Sequence, residues 1–383
     1  MDVLISGAGI AGPALAYWLR HHGFTPTVVE RTSRVRAGGS AMGFRGEALD
    51  VLDRMALLEQ AHALNTHPGD AASAGRDGGP HTATPAMTFE YHLEILRGDL
   101  IGLLYEATRR EVEYVLGDSI ATLEQDADGV RVTFERGRPR RFDLVAGADG
   151  LHSRTRSQVF GPRERFVRHL GLYTAAFGLP SRRDLRGTGL LHSMPGKAAD
   201  LLGARDDGEA RAVLHFASGS LTYDRDDVAQ HKRIVAERFA GEGGRIPHLL
   251  EEMSKAEDFF FDANAQVEMD RWSSGRVVLL GDAGYCAAPA SGHGASQALI
   301  GAYILAGELA VAGGDHAVAF AAYERELRGL VAEHQQLGRE GADRFFLGVP
   351  IREAPDTTAA HAVEASLARI VRLKNYVSSL TAT

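Results

Sequence analysis

The sequence predicts an α/β protein. A parallel, doubly wound nucleotide-binding sheet is interrupted by a mainly antiparallel sheet and followed by a helical C-terminal segment. Three observations predict this. Residues 3–30 read as strand, glycine turn, helix, strand, acid. Apolar runs at 144–148 and 276–280 run into Asp149 and Asp282. Between them, residues 166–269 read mostly as short strands with loops. The 383 residues, 44% hydrophobic and 24% charged, can bury two cores under an ordinary globular surface.

The first element carries the most information. Val3, Leu4 and Ile5 form an apolar run fit for a buried parallel strand. Gly7, Gly9 and Gly12 follow in G-x-G-x-x-G spacing, with Ile10 and Ala11 at the helix entrance. These glycines serve a tight turn, a close pyrophosphate and helix-on-strand packing. A helix over 11–22 points free N–H groups and its dipole at the phosphates, and Gly23 stops it. Thr27 to Val29 make the second strand. Glu30, followed by Arg31, lies where a ribose-binding acid belongs. The unit is Rossmann-like and takes a dinucleotide, without saying which.

A glycine-rich loop over 36–46 follows, then an amphipathic helix over 48–60 with Leu49, Leu52, Met55 and Leu58 at helical spacing. Residues 68–85 are small and polar around Asp77-Gly78, a hairpin signal and an excursion from the first sheet. Helical pattern resumes over 97–110. Strands are expected over 118–124 and 130–135, joined by Asp128-Gly129. Further strands are expected over 170–177, 189–193, 211–217 and 259–267, with a helix over 226–239. Beyond Gly294 the pattern is helical, with one break around 350–355. The nucleotide-binding domain would therefore use 1–67, 95–165 and 270–383, and the inserted sheet domain 68–94 and 166–269.

Two further motifs carry chemistry. In the first, the strand over 276–280 delivers Asp282, and Pro289, Gly292, Gly294 and Ala295 lead into a long helix. Asp282 suits a polyol chain, and the helix N-terminus suits charge beside a ring carbonyl. A helix-capping aspartate is the plainer alternative. Paired with the glycine turn, a second ligand-binding edge on one sheet favours a flavin over NAD. In the other, Asp149 precedes Arg154 and Arg156; these serve a pyrophosphate or second anionic cofactor, or are a turn and solvated arginines.

GAGIAG, GADGLHSRTR and GDAGYCAAPASGHGASQAL, in this order, resemble the group A flavoprotein monooxygenases of the para-hydroxybenzoate hydroxylase fold. The chain is similar to their compact members, such as tetracycline-inactivating and actinobacterial polyketide-tailoring hydroxylases. The resemblance implies a non-covalent FAD held by Gly7, Gly9, Gly12 and Glu30 at the ADP part. It implies Arg97 at the phosphates, Asp149 and Arg154 at FAD and NADPH, and Asp282 at the ribityl chain. Pro289, Gly292, Gly294 and Ala295 would meet the flavin ring. Arg36, Ser40 and Met42 belong to the loop beside adenosine and isoalloxazine, with Arg45 beyond it. Departures are Tyr285 for a common histidine and Ser296 for a common asparagine. No W-x-W-x-I-P halogenase signature occurs, and no third, thioredoxin-like domain is expected.

The resemblance implies that NADPH or NADH reduces FAD, that O2 forms a flavin C4a-hydroperoxide, and that an aromatic or polyketide-like small molecule is hydroxylated. Candidate bases are His92, His192, His215, His293, Tyr223 and Tyr285, each also readable as structural. His293 and Arg45 are the leading catalytic candidates; His192, His215 and Gln266 are candidates for the substrate. No metal site is expected. A reductase or saturase on the same fold, and a non-catalytic flavin- or drug-binding protein, stay open.

Net charge of −8 gives no basic field for nucleic acid. The single Cys286 leaves no internal disulfide and suits a reducing compartment. The chain starts directly in a strand and lacks an uninterrupted apolar run of about 18 residues, so neither signal peptide nor membrane span is expected. A cytoplasmic monomer or homodimer is the expectation.

Overall fold

Alternating buried runs on both sides of Asp2–Ser6 place that strand inside a six-stranded sheet. Its order is Ser273–Ser274, Val277–Leu279, Leu144–Gly147, Asp2–Ser6, Thr25–Glu30, Glu113–Leu116. All pairings are parallel except the first. Leu4, Ile5, Val28 and Val145 are fully buried, as a sheet covered on both faces requires. The structure, a computed structural model, describes residues 1–35, 41–66, 72–74, 80–81, 92–179, 190–194, 196–203, 210–346 and 373–376. Ile5 pairs with Ala146 and Ala146 with Val278, so three neighbouring strands end together. Gly7, Asp149 and Asp282 thus emerge along one edge, where open α/β sheets bind ligands.

Helix Ala11–His21 ends as its sequence indicates. Gly23 takes φ +85°, with Gly23 N–H donating to Arg20 O (3.0 Å) and Phe24 N–H to Leu19 O (3.0 Å). The helix expected over 48–60 is instead two, Glu47–Arg54 and Leu58–Ala63. Ala56 adopts φ +56°, Ala56 N–H reaches Asp53 O (2.8 Å), and Leu57 N–H reaches Leu52 O (2.9 Å). The same left-handed cap stops a helix without glycine, because the turn buries Met55 and Leu57. The helical C-terminal segment likewise divides into Gly294–Val311 and His316–Phe346, with Gly313 and Gly314 at positive φ between them. Gly294–Val311 is apolar and long enough by composition to cross a membrane. It is instead 78% buried in the core, against helices Ala11–His21 and His316–Phe346.

The second sheet has seven strands in the order Phe260–Val267, Val167–Leu179, Ala210–Ala217, Lys197–Gly203, Leu190–Met194, Ala72–Ala74, Pro80–His81. Every pairing is antiparallel except Leu190–Met194 with Ala72–Ala74. Helices Val228–Arg238 and Ile246–Lys255 cover one face, where Val235, Phe239, Ile246 and Leu249 meet Tyr173, Phe177 and Phe216. Phe261 joins this core, whereas Phe260 is exposed. A two-stranded ribbon, Ala41–Phe44 with Leu93–Leu96, runs beside the first sheet.

Candidate functional site

The glycine turn is a close-fitting cradle. Gly7 has φ +106°, and a Cβ there would come 2.5 Å from Ala148 O. A Cβ at Gly12 would overlap Gly7 O. Both positions exclude side chains, so the turn and helix entrance can lie tight on the sheet. Ile10 caps helix Ala11–His21 with no side-chain hydrogen bond, and no acid sits in the first turn. The first N–H groups are therefore available to an anion. Arg97, the first residue of helix Arg97–Thr108, brings Nη2 within 3.9 Å of the space above Gly9. A guanidinium, a bare glycine and a helix N-terminus together fit a pyrophosphate.

Glu30 is anchored beside this turn. Its carboxylate accepts from Ala8 N–H (2.9 Å), Thr32 N–H (3.0 Å) and Thr32 Oγ1 (2.8 Å). Arg31 is exposed, Met42 is half-buried in its ribbon strand, and Arg36 and Ser40 lie outside the described residues.

Asp149 braces the start of helix Arg154–Val159, whose N-cap is Ser153. Oδ1 accepts from Ser153 Oγ (2.5 Å), and Oδ2 from Thr155 N–H and Oγ1 (3.0 Å each). Arg154 points outward, pairing with Glu135 and donating to Ser119 Oγ (3.1 Å). The inward arginine is Arg156. It is fully buried, donating from Nη1 to Ala283 O (2.8 Å) and from Nη2 to Leu151 O (2.7 Å). It ties the 149–156 segment to the start of Asp282–Tyr285. Alternation with Arg154 along a one-and-a-half-turn helix was the available signal, but a guanidinium held by carbonyls alone is not legible from residue types.

Asp282 is walled by protein yet open to solvent, as a group on the floor of a cleft must be. Its carboxyl is raised above the usual range, first by burial; Cys286 and Arg97 oppose this and Asp262 adds to it. A Cβ at Gly294, the first residue of helix Gly294–Val311, would lie 3.6 Å from Asp282 Oδ1, so the bare glycine faces the carboxylate. The cleft thus runs from Gly9 and Arg97, past Asp282, to the 287–295 loop. A group of three His, Cys, Asp or Glu able to hold a metal ion is absent among the described residues.

The loop itself is clamped. Ala288 sits at φ 73°, ψ 150°, a region nearly confined to glycine and costing about 1–3 kcal/mol for other residues. Gln266, fully buried, donates through Nε2 to Ala287 O (3.0 Å) and Gln335 O (2.6 Å), and accepts from Arg339 Nη1 (3.1 Å). A Cβ at Gly338 would collide with Ala287 O, and one at Gly341 would lie 2.6 Å from Ala290 O. Helix His316–Phe346 therefore presses bare backbone on the loop. Pro289 and Gly292 remain exposed, and Ala295 is half-exposed. Tyr285, a candidate base, is buried against Trp272 and donates no proton to the cleft. Its hydroxyl meets that of Tyr323 (2.8 Å), and burial raises its pKa. Tyr223 packs edge-on against Phe261 and His231, and His92 is exposed.

Arg45 and His293 do come together: Nη2 donates to His293 Nε2 over 3.1 Å. The His293 ring stacks on His334 at 4.1 Å and 10°. Burial, then Arg45, brings His293 down to about 4; burial, then His293 and Arg45, brings His334 to about 2. Both rings are neutral at physiological pH. His334 could not be singled out from sequence, because its contact is made across the fold.

On the second sheet, Thr174 pairs with Asp262 on one side and His215 on the other, so the three share a face. Asp262 meets His152 Nε2 (2.9 Å) from the Asp149 segment, which turns that face toward the cleft. Along it, Asn264 Nδ2 donates to Thr174 Oγ1 (2.7 Å), Thr174 bonds His215 Nδ1 (2.9 Å), and His215 Nε2 meets Asp200 Oδ2 (3.2 Å). His192 lies in Leu190–Met194, where it pairs with Ala199, out of step with the Ala198–His215 pair.

Comparison with known proteins agrees with this geometry. The FAD binding domain family matches residues 1–334. An uncharacterized protein of Mycobacterium tuberculosis is 45% identical over 94% of this chain and 98% of its own length. A flavin-dependent monooxygenase of Legionella longbeachae is 37% identical over 91% of this chain and 90% of its own. The crystal structure of tetracycline destructase Tet(51) superposes with a TM-score of 0.89 at 34% identity, covering 98% of this chain and 99% of that one.

Proposed function

The chain belongs to the FAD binding domain family, with flavin-dependent monooxygenases among its relatives, and from that premise we propose that it hydroxylates an electron-rich aromatic or polyketide-like small molecule. NAD(P)H is the reductant, and O2 supplies one oxygen atom to product and one to water. The observation that carries this reading is the agreement over nearly the whole of both chains with a tetracycline destructase.

The residues present fit FAD. Gly7, Gly9 and Gly12 would leave room at the pyrophosphate, Arg97 would supply its counter-charge, Glu30 would take the ribose, and Asp282 would hold the ribityl hydroxyls. Bound flavin would accept electrons from NAD(P)H and activate O2. The chain's own task is to orient the substrate and exclude water. The Asp200–His215–Thr174–Asn264 row suits phenol or carbonyl groups of the substrate. With Asp200 accepting from Nε2–H of a neutral His215 ring, Nδ1 would accept from the Thr174 hydroxyl. The domain division at 68–94 and 166–269 belongs to the same proposal, since all four residues of that row fall within 166–269.

The test is NAD(P)H oxidation by purified protein with tetracycline and simpler polyphenols as probes. Expected are yellow flavin, substrate-stimulated oxidation and a product 16 Da heavier. Oxidation without oxygenated product would refute the hydroxylase.

A further inference from the structure

Arg45 and Arg97 stand at opposite ends of the ribbon Ala41–Phe44 with Leu93–Leu96, since Ala41 pairs with Leu96 and Phe44 with Leu93. Strand rise puts them about 15 Å apart. Arg97 marks the Gly9 end of the cleft, and Arg45 marks the end where His293 caps helix Gly294–Val311.

A guanidinium only donates hydrogen bonds. Nε2 of His293 must therefore accept from Arg45 and carries no proton. A neutral imidazole then carries its proton on Nδ1, for which no hydrogen-bond partner is seen among the described residues. The ring cannot swing freely. Its face lies on His334, and its backbone N–H donates to Ser291 Oγ (3.1 Å). His334 is itself buried, and its Nδ1 has no hydrogen-bond partner among the described residues, an arrangement costing about 1–3 kcal/mol that a simple packing residue would not incur.

We propose that Arg45 fixes His293 as the Nδ1–H tautomer, making it a hydrogen-bond donor, not a proton acceptor, to the flavin ring edge that gains negative charge on reduction. His334 is the positioning residue that holds the donor by stacking. The proposal rests on FAD lying in this cleft, as inferred above. It assigns His293 a part opposite to that of a general base, and adds a side-chain donor to the helix N-terminus at the same place.

The deciding experiment is long-range 1H–15N correlation on [15N]histidine-labelled whole protein at neutral pH, with His293 assigned by its disappearance in His293→Gln. Expected is one set of signals with a protonated Nδ1 and a bare Nε2. In Arg45→Met the two tautomers should mix. A wild-type His293 protonated at Nε2 overturns the proposal, with or without flavin bound. The second reading is the midpoint potential of bound FAD. His293→Ala should weaken reduced relative to oxidised flavin by about 10- to 100-fold, the loss of one charge-assisted bond. His293→Gln, which keeps an N–H, should restore most of it. His334→Phe should leave tautomer and potential unchanged, and His334→Ala should disturb both. An unchanged potential in His293→Ala refutes the flavin contact. Failure of the protein to retain FAD refutes instead the cofactor reading, and leaves the tautomer measurement standing.

Discussion

The stacked pair His293–His334 should make the fold acid-sensitive, and His334→Phe separates its share from the rest. Histidine in the unfolded chain has its ordinary pKa of 6.5, whereas burial lowers the folded value to about 2 for His334 and about 4 for His293. The folded pKa lies below the unfolded one, so the unfolded chain takes up the proton first. The contribution is complete above pH 6.5 and is lost as pH falls from there toward the folded value. At pH 4.5, two units below 6.5, protonation of the unfolded chain makes the neutral His334 cost on the order of 3 kcal/mol, and His293 acts in the same direction. Phenylalanine keeps the stack and cannot titrate. It also removes the orphaned Nδ1, so at pH 7 the variant should be at least as stable as the parent. Urea unfolding at pH 7 and pH 4.5 measures both. The variant should lose on the order of 3 kcal/mol less on acidification. Equal losses in both proteins would show that His334 is not held neutral in the fold.

Three other substitutions probe the frame. Gly12→Val places a branched side chain on Gly7 O and should abolish FAD binding, read as loss of the flavin absorbance of the purified protein. Asp282→Ala should release FAD while leaving the far-ultraviolet circular dichroism intact, because the aspartate faces the cleft and not the core. Arg156→Met leaves the carbonyls of Leu151 and Ala283 without donors and should cost about 3 kcal/mol in urea unfolding; the exposed Arg154→Met should cost under about 1 kcal/mol.

Much of the frame was legible in the linear order of residues. Gly7, Gly12 and Gly23 announce their turns because only glycine tolerates those contacts and dihedrals, and buried parallel strands ending in Asp149 and Asp282 announce a ligand-binding edge. The stretch beyond Gly294 announced a long helix, but not its division into Gly294–Val311 and His316–Phe346. Apolar periodicity misread 48–60 as one helix, since Ala56 enters a left-handed cap that only packing around Met55 and Leu57 can repay. Residue type could not say which arginine of the Asp149 segment turns inward, because Arg154 and Arg156 differ only in what lies opposite them. Nor could it say that Gln266 clamps the 287–295 loop, that His215 joins Asp200 and Thr174, or that His334 stacks on His293. Those contacts join residues about 15 to 41 positions apart, far beyond any local turn or helix spacing. Local chemistry decides turns, strands and helices. Partners for polar side chains are decided only when the sheets and the His316–Phe346 helix close on one another.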